Sequence, residues 1–232
     1  MKRGRLARKI GYNIHSVSSH KPLQEEWKEM WNEIKQDIDV VLRQGSLTIG
    51  DFAQNFKSLS LTADPRVFFR FSPTTDSLLM NAWAAMYHAP FEIAGTLVHE
   101  NDHREFHREN GTIGASYEVI VEFQRNHSRD SEVQAFKKEL GFLKLIQTRV
   151  DPVWIIPLAT EQITYEINKI IADRERVLGT VSSMGPDSAQ YQHASTAESA
   201  SLVVPLMKQL NVNLDGLKKI TKKGLNLWET QF

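Results

Sequence analysis

Pro90 and the pair Asn110-Gly111 frame a stretch whose apolar residues, Ile93, Ala94, Leu97 and Val98, run directly into His99-Glu100-Asn101-Asp102-His103. Proline fits the first turn of a helix and Asn-Gly ends one, so the frame predicts a helix of about 18 residues over 90–108. Its first half must enter the core, which fixes the face on which both histidines stand. The bland alternative is a solvated helix of charges (Asp102, Arg104, Glu105, Arg108, Glu109) that carries its histidines by coincidence. The apolar turn before His99 argues against it.

The rest of the chain reads as mostly helical. From Leu23 the apolar residues Trp27, Met30, Trp31, Ile34, Ile38, Val41 and Leu42 recur in steps of three and four until Gly45, the mark of an amphipathic helix with the tryptophans as core anchors. A short apolar segment around Phe52 and Phe56 follows. Residues 67–71, aromatic and β-branched, lie between Pro65 and the turn-like Ser72-Pro73-Thr74-Thr75-Asp76, and are expected as a strand. The run 78–87 is expected to pair back on it as a hairpin, although its alanines and methionines also suit a helix. Further helices are expected from an N-cap at Ser128 or Asp130 to Asp151-Pro152, over 159–178, and over 189–210 with an interruption at Pro205. The Thr, Ser, Gly and Pro of 179–187 read as a linker. The expected class is α+β and predominantly helical, with a small sheet or hairpin upstream of the histidine helix. The expected division is a basic tail (1–20), a main domain (21–178) and a helical C-terminal part packing on it (179–232).

Composition narrows the chemistry. The chain has no cysteine, so disulfides, thiolate zinc sites, iron–sulfur clusters and a cysteine nucleophile are excluded, and any metal must be held by His, Asp or Glu. Its 28 basic and 28 acidic residues balance, leaving no global field to steer nucleic acid. The basic run Lys2, Arg3, Arg5, Arg8, Lys9 offers only local nucleic-acid contact. No apolar stretch follows it as a secretory signal requires, and no window reaches the roughly 18 to 20 apolar residues of a membrane span. The expected location is cytoplasmic.

His99 and His103 stand one helical turn apart, the spacing at which two imidazoles reach one zinc ion. Glu100, one step round the helix, then sits beside the open position, where it can take a proton from metal-activated water and pass it to a leaving amine. A third ligand must come from downstream. His107 lies eight residues past His99, about 12 Å along the axis, too far to share the ion, and is expected at the surface or behind a ligand. Glu118, Glu122 and Glu132 are the carboxylate candidates.

Glu132 in Asp130-Ser131-Glu132-Val133-Gln134-Ala135-Phe136, taken with the H-E-x-x-H string, resembles the gluzincin metallopeptidases. The resemblance covers about residues 96–140. In that family a Glu on a following helix completes the site, often with Ala three residues on, as Ala135 is here. It implies His99, His103 and Glu132 as zinc ligands, Glu100 as the general base and a peptide or protein substrate. Glu122 is the alternative ligand. The family also has a strand above the metal helix on which an extended substrate pairs, a place that 67–71 or 78–87 would fill. Tyr117, Tyr165 and His193 are candidate oxyanion donors. The resemblance therefore implies a zinc-dependent hydrolase. Two other classes stay open: a zincin-fold binding or regulatory module with little catalysis, and a di-iron helical protein. The latter reads Glu100 to His103 as Glu-x-x-His but has no second copy of that motif.

Overall fold

The computed structural model describes residues 21–62, 67–81, 89–149 and 160–185. The basic tail, the expected helix over 189–210 with Pro205, the Asp151-Pro152 stop, His193 and the side chain of Trp27 lie outside the described residues.

Helix α1 (Lys21–Gln44) buries Trp31, Ile34, Ile38, Val41 and Leu42, the stripe expected from their spacing. Helix α2 (Ile49–Asn55) carries the segment around Phe52. It starts at a reciprocal cap: Thr48 Oγ1 accepts from the Asp51 N–H, and the Asp51 carboxylate accepts the Thr48 N–H at 2.7 Å. Two of the four free N–H groups of a helix start are satisfied this way.

The small sheet holds three strands: β1 (Ser58–Thr62), β2 (Phe69–Ser72) and β3 (Ser77–Asn81), in the order β1-β3-β2. β2 and β3 form the expected antiparallel hairpin, with Phe71 opposite Leu78, and its turn ends at Asp76 in the left-handed region (φ 51°). β3 is shorter than the expected 78–87; the residues after Asn81 lie outside the described ones until Ala89. β1, which pairs parallel to β3 with Leu59 opposite Leu78, was not expected from the sequence.

Helix α3 (Pro90–Glu109) begins at Pro90 and gives way to Gly111 at φ 64°, as its frame predicts. Helix α4 (Tyr117–Gln147) corrects the expected start at Ser128 or Asp130: the helix begins more than ten residues earlier, after Ser116, so both of those residues are interior. Glu132 is therefore not a first-turn glutamate favoured by the helix dipole. Helix α5 (Thr160–Ser183) runs through Gly179, so the first residues of the expected linker are helical.

One apolar cluster joins α1, α2, the sheet, α3, α4 and α5, with Trp31, Phe56, Leu59, Leu78, Ile93, Leu143 and Ile167 among its members. Packing of α4 on α3 is close at Gly95, where a Cβ would meet Leu143 Cδ2 at 3.2 Å and Glu139 Cγ at 3.4 Å. A smaller cluster of Val177 and Val181 with Val133 and Phe136 lays the end of α5 along α4. The described part is a predominantly helical α+β fold in which α4 packs against both α3 and α5, and the three-stranded sheet lies against α3 through β2. No described helix is long and apolar enough to cross a membrane.

Candidate metal centre

The apolar turn of α3 is buried as its pattern demands, Ile93, Ala94 and Leu97 being essentially inaccessible, and this carries His99 and Glu100 inward. Across the α3–α4 contact, Glu132 projects to meet them. His99 Nε2 lies 3.1 Å from Glu132 Oε2, His103 Nε2 lies 3.1 Å from Glu132 Oε1, and the two Nε2 atoms are 3.1 Å apart. His99, His103 and Glu132 are the one group of three or more metal-compatible side chains that converge among the described residues.

These distances suit a metal. Tetrahedral bonds of about 2.0–2.1 Å place neighbouring donors about 3.3 Å apart, close to the observed separations. The far side of each ring is held too. His99 Nδ1 donates to Glu139 Oε2 at 3.1 Å, and His103 Nδ1 pairs with Ser131 Oγ at 2.7 Å. A ring nitrogen fixed by such a partner leaves the opposite nitrogen aimed at the shared centre. Phe136 adds an edge contact to the His99 ring, with centroids 4.5 Å apart.

Behind Glu139 lies a buried Arg. Arg174 on α5 gives its Nε to Glu139 Oε1 at 2.8 Å, its Nη2 approaches Glu92 Oε1 at 3.4 Å, and its Nη1 meets Asp173 at 3.0 Å. Sequence reasoning missed both Glu139 and Arg174. Each looks like an ordinary solvent-facing charge in a helical pattern, and only the packing of three helices brings them together.

The charges follow from this geometry. Burial alone would lower the pKa of His99, but the hydrogen bonds and charges of Glu132 and Glu139 outweigh it and hold the imidazolium up to about 10. Burial would raise Glu132, yet the two histidines keep its carboxyl well below the usual range. For Glu139 the opposing forces are burial and the attraction of Arg174 and His99, which wins and lowers it. In the metal-free chain a proton on His99 thus occupies the position a cation would take. Loading with a divalent ion should release that proton, so apparent affinity should fall at least about tenfold per unit as pH drops from about 9 to 7. Calorimetry in two buffers of different ionisation enthalpy measures the release. The same shift makes a linked stability prediction. Because the folded pKa exceeds the unfolded value, the His99 contribution is complete below about pH 6.5 and is lost as pH rises toward about 10, which thermal melts of metal-free chain will show.

Glu100 is buried beside His99 and His103, and burial pushes its carboxyl pKa up against the lowering charges of His103 and His99. Its Oε2 accepts the backbone N–H of Phe71 at 2.6 Å. That N–H points out of the free side of β2, one of the sheet's two outer strands, so the edge facing α3 is held at Phe71 by Glu100 rather than open there for an added peptide.

The other expected positions fall elsewhere. His107 is buried, which rules out the surface half of its expected placement: its Nδ1 pairs with Thr112 Oγ1 at 2.7 Å, and its ring lies against Phe71 and Phe123. Burial, with a smaller push from His103, lowers its pKa to about 4, so it stays neutral. Glu122 and Glu118 are exposed on α4, about 15 and 21 Å along the axis from Glu132, and do not join the cluster. Tyr117 and Tyr165 are 72% and 65% exposed, which suits neither to a donor role in a buried site. Arg104, one turn beyond Glu100, is tied to Asp76 at 2.8 and 3.2 Å and anchors α3 to the hairpin turn.

Set against family models, curated proteins and solved structures, the chain matches none.

Proposed function

We propose that the chain is a zinc-dependent hydrolase of gluzincin type, acting on peptide bonds. The observation that carries this is the convergence of two imidazole Nε2 atoms and both Glu132 oxygens at 3.1 Å spacing, with Glu100 alongside. Two His and one carboxylate form the donor set of several catalytic zinc sites, and they leave a position open. Zinc at this place supplies the Lewis acidity that polarises a carbonyl and acidifies a water.

The chain's own residues do the rest. His99, His103 and Glu132 hold the ion, while Glu139 and Ser131 keep the rings turned toward it. Glu100 Oε2 is committed to the Phe71 N–H, so Oε1 is the atom that accepts the proton and returns it to the leaving amine. The raised pKa of a buried carboxyl favours that second, acid step.

A non-catalytic metal-binding module is the second reading, and the Glu100–Phe71 bond favours it, because a carboxylate engaged by a strand also serves as a staple between sheet and helix. A peptide-library cleavage assay separates the two. Zinc-dependent cleavage that stops with chelator and returns with added zinc supports the hydrolase. Stoichiometric zinc with no cleavage of any peptide supports the module. A di-iron centre gains no support from the described residues, where one three-ligand cluster stands.

A further inference from the structure

We propose that Arg174 is a positioning residue of the metal centre, which it reaches through Glu139, so that helix α5 helps to set the metal affinity of a site built on α3 and α4. This rests on the reading of His99, His103 and Glu132 as ligands, but not on catalysis.

The chain of contacts is continuous. Arg174 Nε binds Glu139 Oε1 at 2.8 Å, and the other oxygen of the same carboxylate accepts from His99 Nδ1 at 3.1 Å. With one oxygen on each partner, the carboxylate cannot turn without breaking a bond. Both charged side chains are buried, at 2% and 7% exposure, so water is a poor substitute for either. Arg174 is fixed in turn from two further sides, by Glu92 on α3 and by Asp173 on its own helix. A planar guanidinium fits this arrangement because its donors leave in fixed directions, which a lysine ammonium does not reproduce. Removing Arg174 frees Glu139 to rotate, and the His99 ring loses the contact that aims Nε2.

A lone Arg174→Met change strips the guanidinium from one oxygen of a buried carboxylate and threatens the fold. The decisive variant is therefore Glu139→Leu/Arg174→Met, since replacing a buried ion pair by apolar groups of similar volume is often neutral for stability. Zinc affinity is read by competition with a chromophoric chelator, and fold by circular dichroism and melting of the metal-free protein. The expected result is wild-type helix content, melting lowered by no more than the lost Glu139 contact to His99 implies, and zinc bound about 10- to 100-fold more weakly, the usual loss when a ligand's hydrogen-bond partner is removed. Arg174→Lys should fall between wild type and the double variant. If the double variant fails to refold, Glu139→Gln, which keeps the side-chain shape, is expected to show the same weakening. Wild-type zinc affinity in a folded double variant, in Glu139→Gln or in Arg174→Lys overturns the proposal. A wild-type chain that binds no zinc overturns it together with the metal reading, whereas zinc binding without cleavage bears on the hydrolase reading alone.

Discussion

Glu132→Ala is expected to abolish stoichiometric zinc, while Glu122→Ala leaves it unchanged. The first change removes both oxygens that face the histidine Nε2 atoms at 3.1 Å, and nothing else in the cluster replaces them. A two-imidazole remnant binds weakly, so the loss should exceed the about 10- to 100-fold that follows removal of a mere hydrogen-bond partner of a ligand. Glu122 is exposed on a part of α4 well away from the cluster, and its removal costs no ligand. Chelator competition on both variants measures the contrast. Loss of zinc in Glu122→Ala with retention in Glu132→Ala would move the third ligand and contradict the geometry of the α3–α4 contact.

Glu100→Gln is expected to keep zinc and lower turnover by at least about 10²- to 10⁴-fold on any peptide the wild type cleaves, the usual scale of general acid–base catalysis. The amide has nearly the carboxylate's shape, and its oxygen can still accept the Phe71 N–H, so strand β2 should stay where it is. What the amide cannot do is take a proton. The fold should hold or gain slightly, because a neutral group is cheaper to bury than a carboxylate. Unchanged turnover would remove Glu100 from the chemistry and leave it a staple between sheet and helix.

How much of this was legible in the sequence depends on how local each signal is. The bounds of α3 were, since Pro90, the apolar turn and Asn110-Gly111 all act within their own neighbourhood. Glu132 was singled out on the resemblance, which offers a long-range constraint that periodicity lacks, and it does converge with His99 and His103. The first third of α4 was not legible: Tyr117, Glu118, Val119, Glu122, Arg125, Asn126 and His127 are exposed, so little apolar stripe marks them, and Ser128 and Asp130 imitate an N-cap inside a continuing helix. Strand β1 did leave a trace in the alternation Ser58-Leu59-Ser60-Leu61-Thr62, but five residues make a weak signal. The burial of His107 was not legible because it comes from the rings of Phe71 and Phe123, which reach it from other elements. The hydrogen bond from Phe71 to Glu100 had no signal at all, because a backbone N–H carries no residue identity. Glu139 and Arg174 show the same limit in charged form, since a buried ion pair and two solvated charges are written with the same letters.

The claim on which the rest depends is that His99, His103 and Glu132 hold one metal ion. Elemental analysis of the purified chain after equilibration with zinc and removal of loosely bound ion tests it most directly, with His103→Ala beside it. One zinc per wild-type chain and none in the variant is the expected result. No bound metal in the wild type, two irons per chain, or equal zinc in both proteins would contradict it.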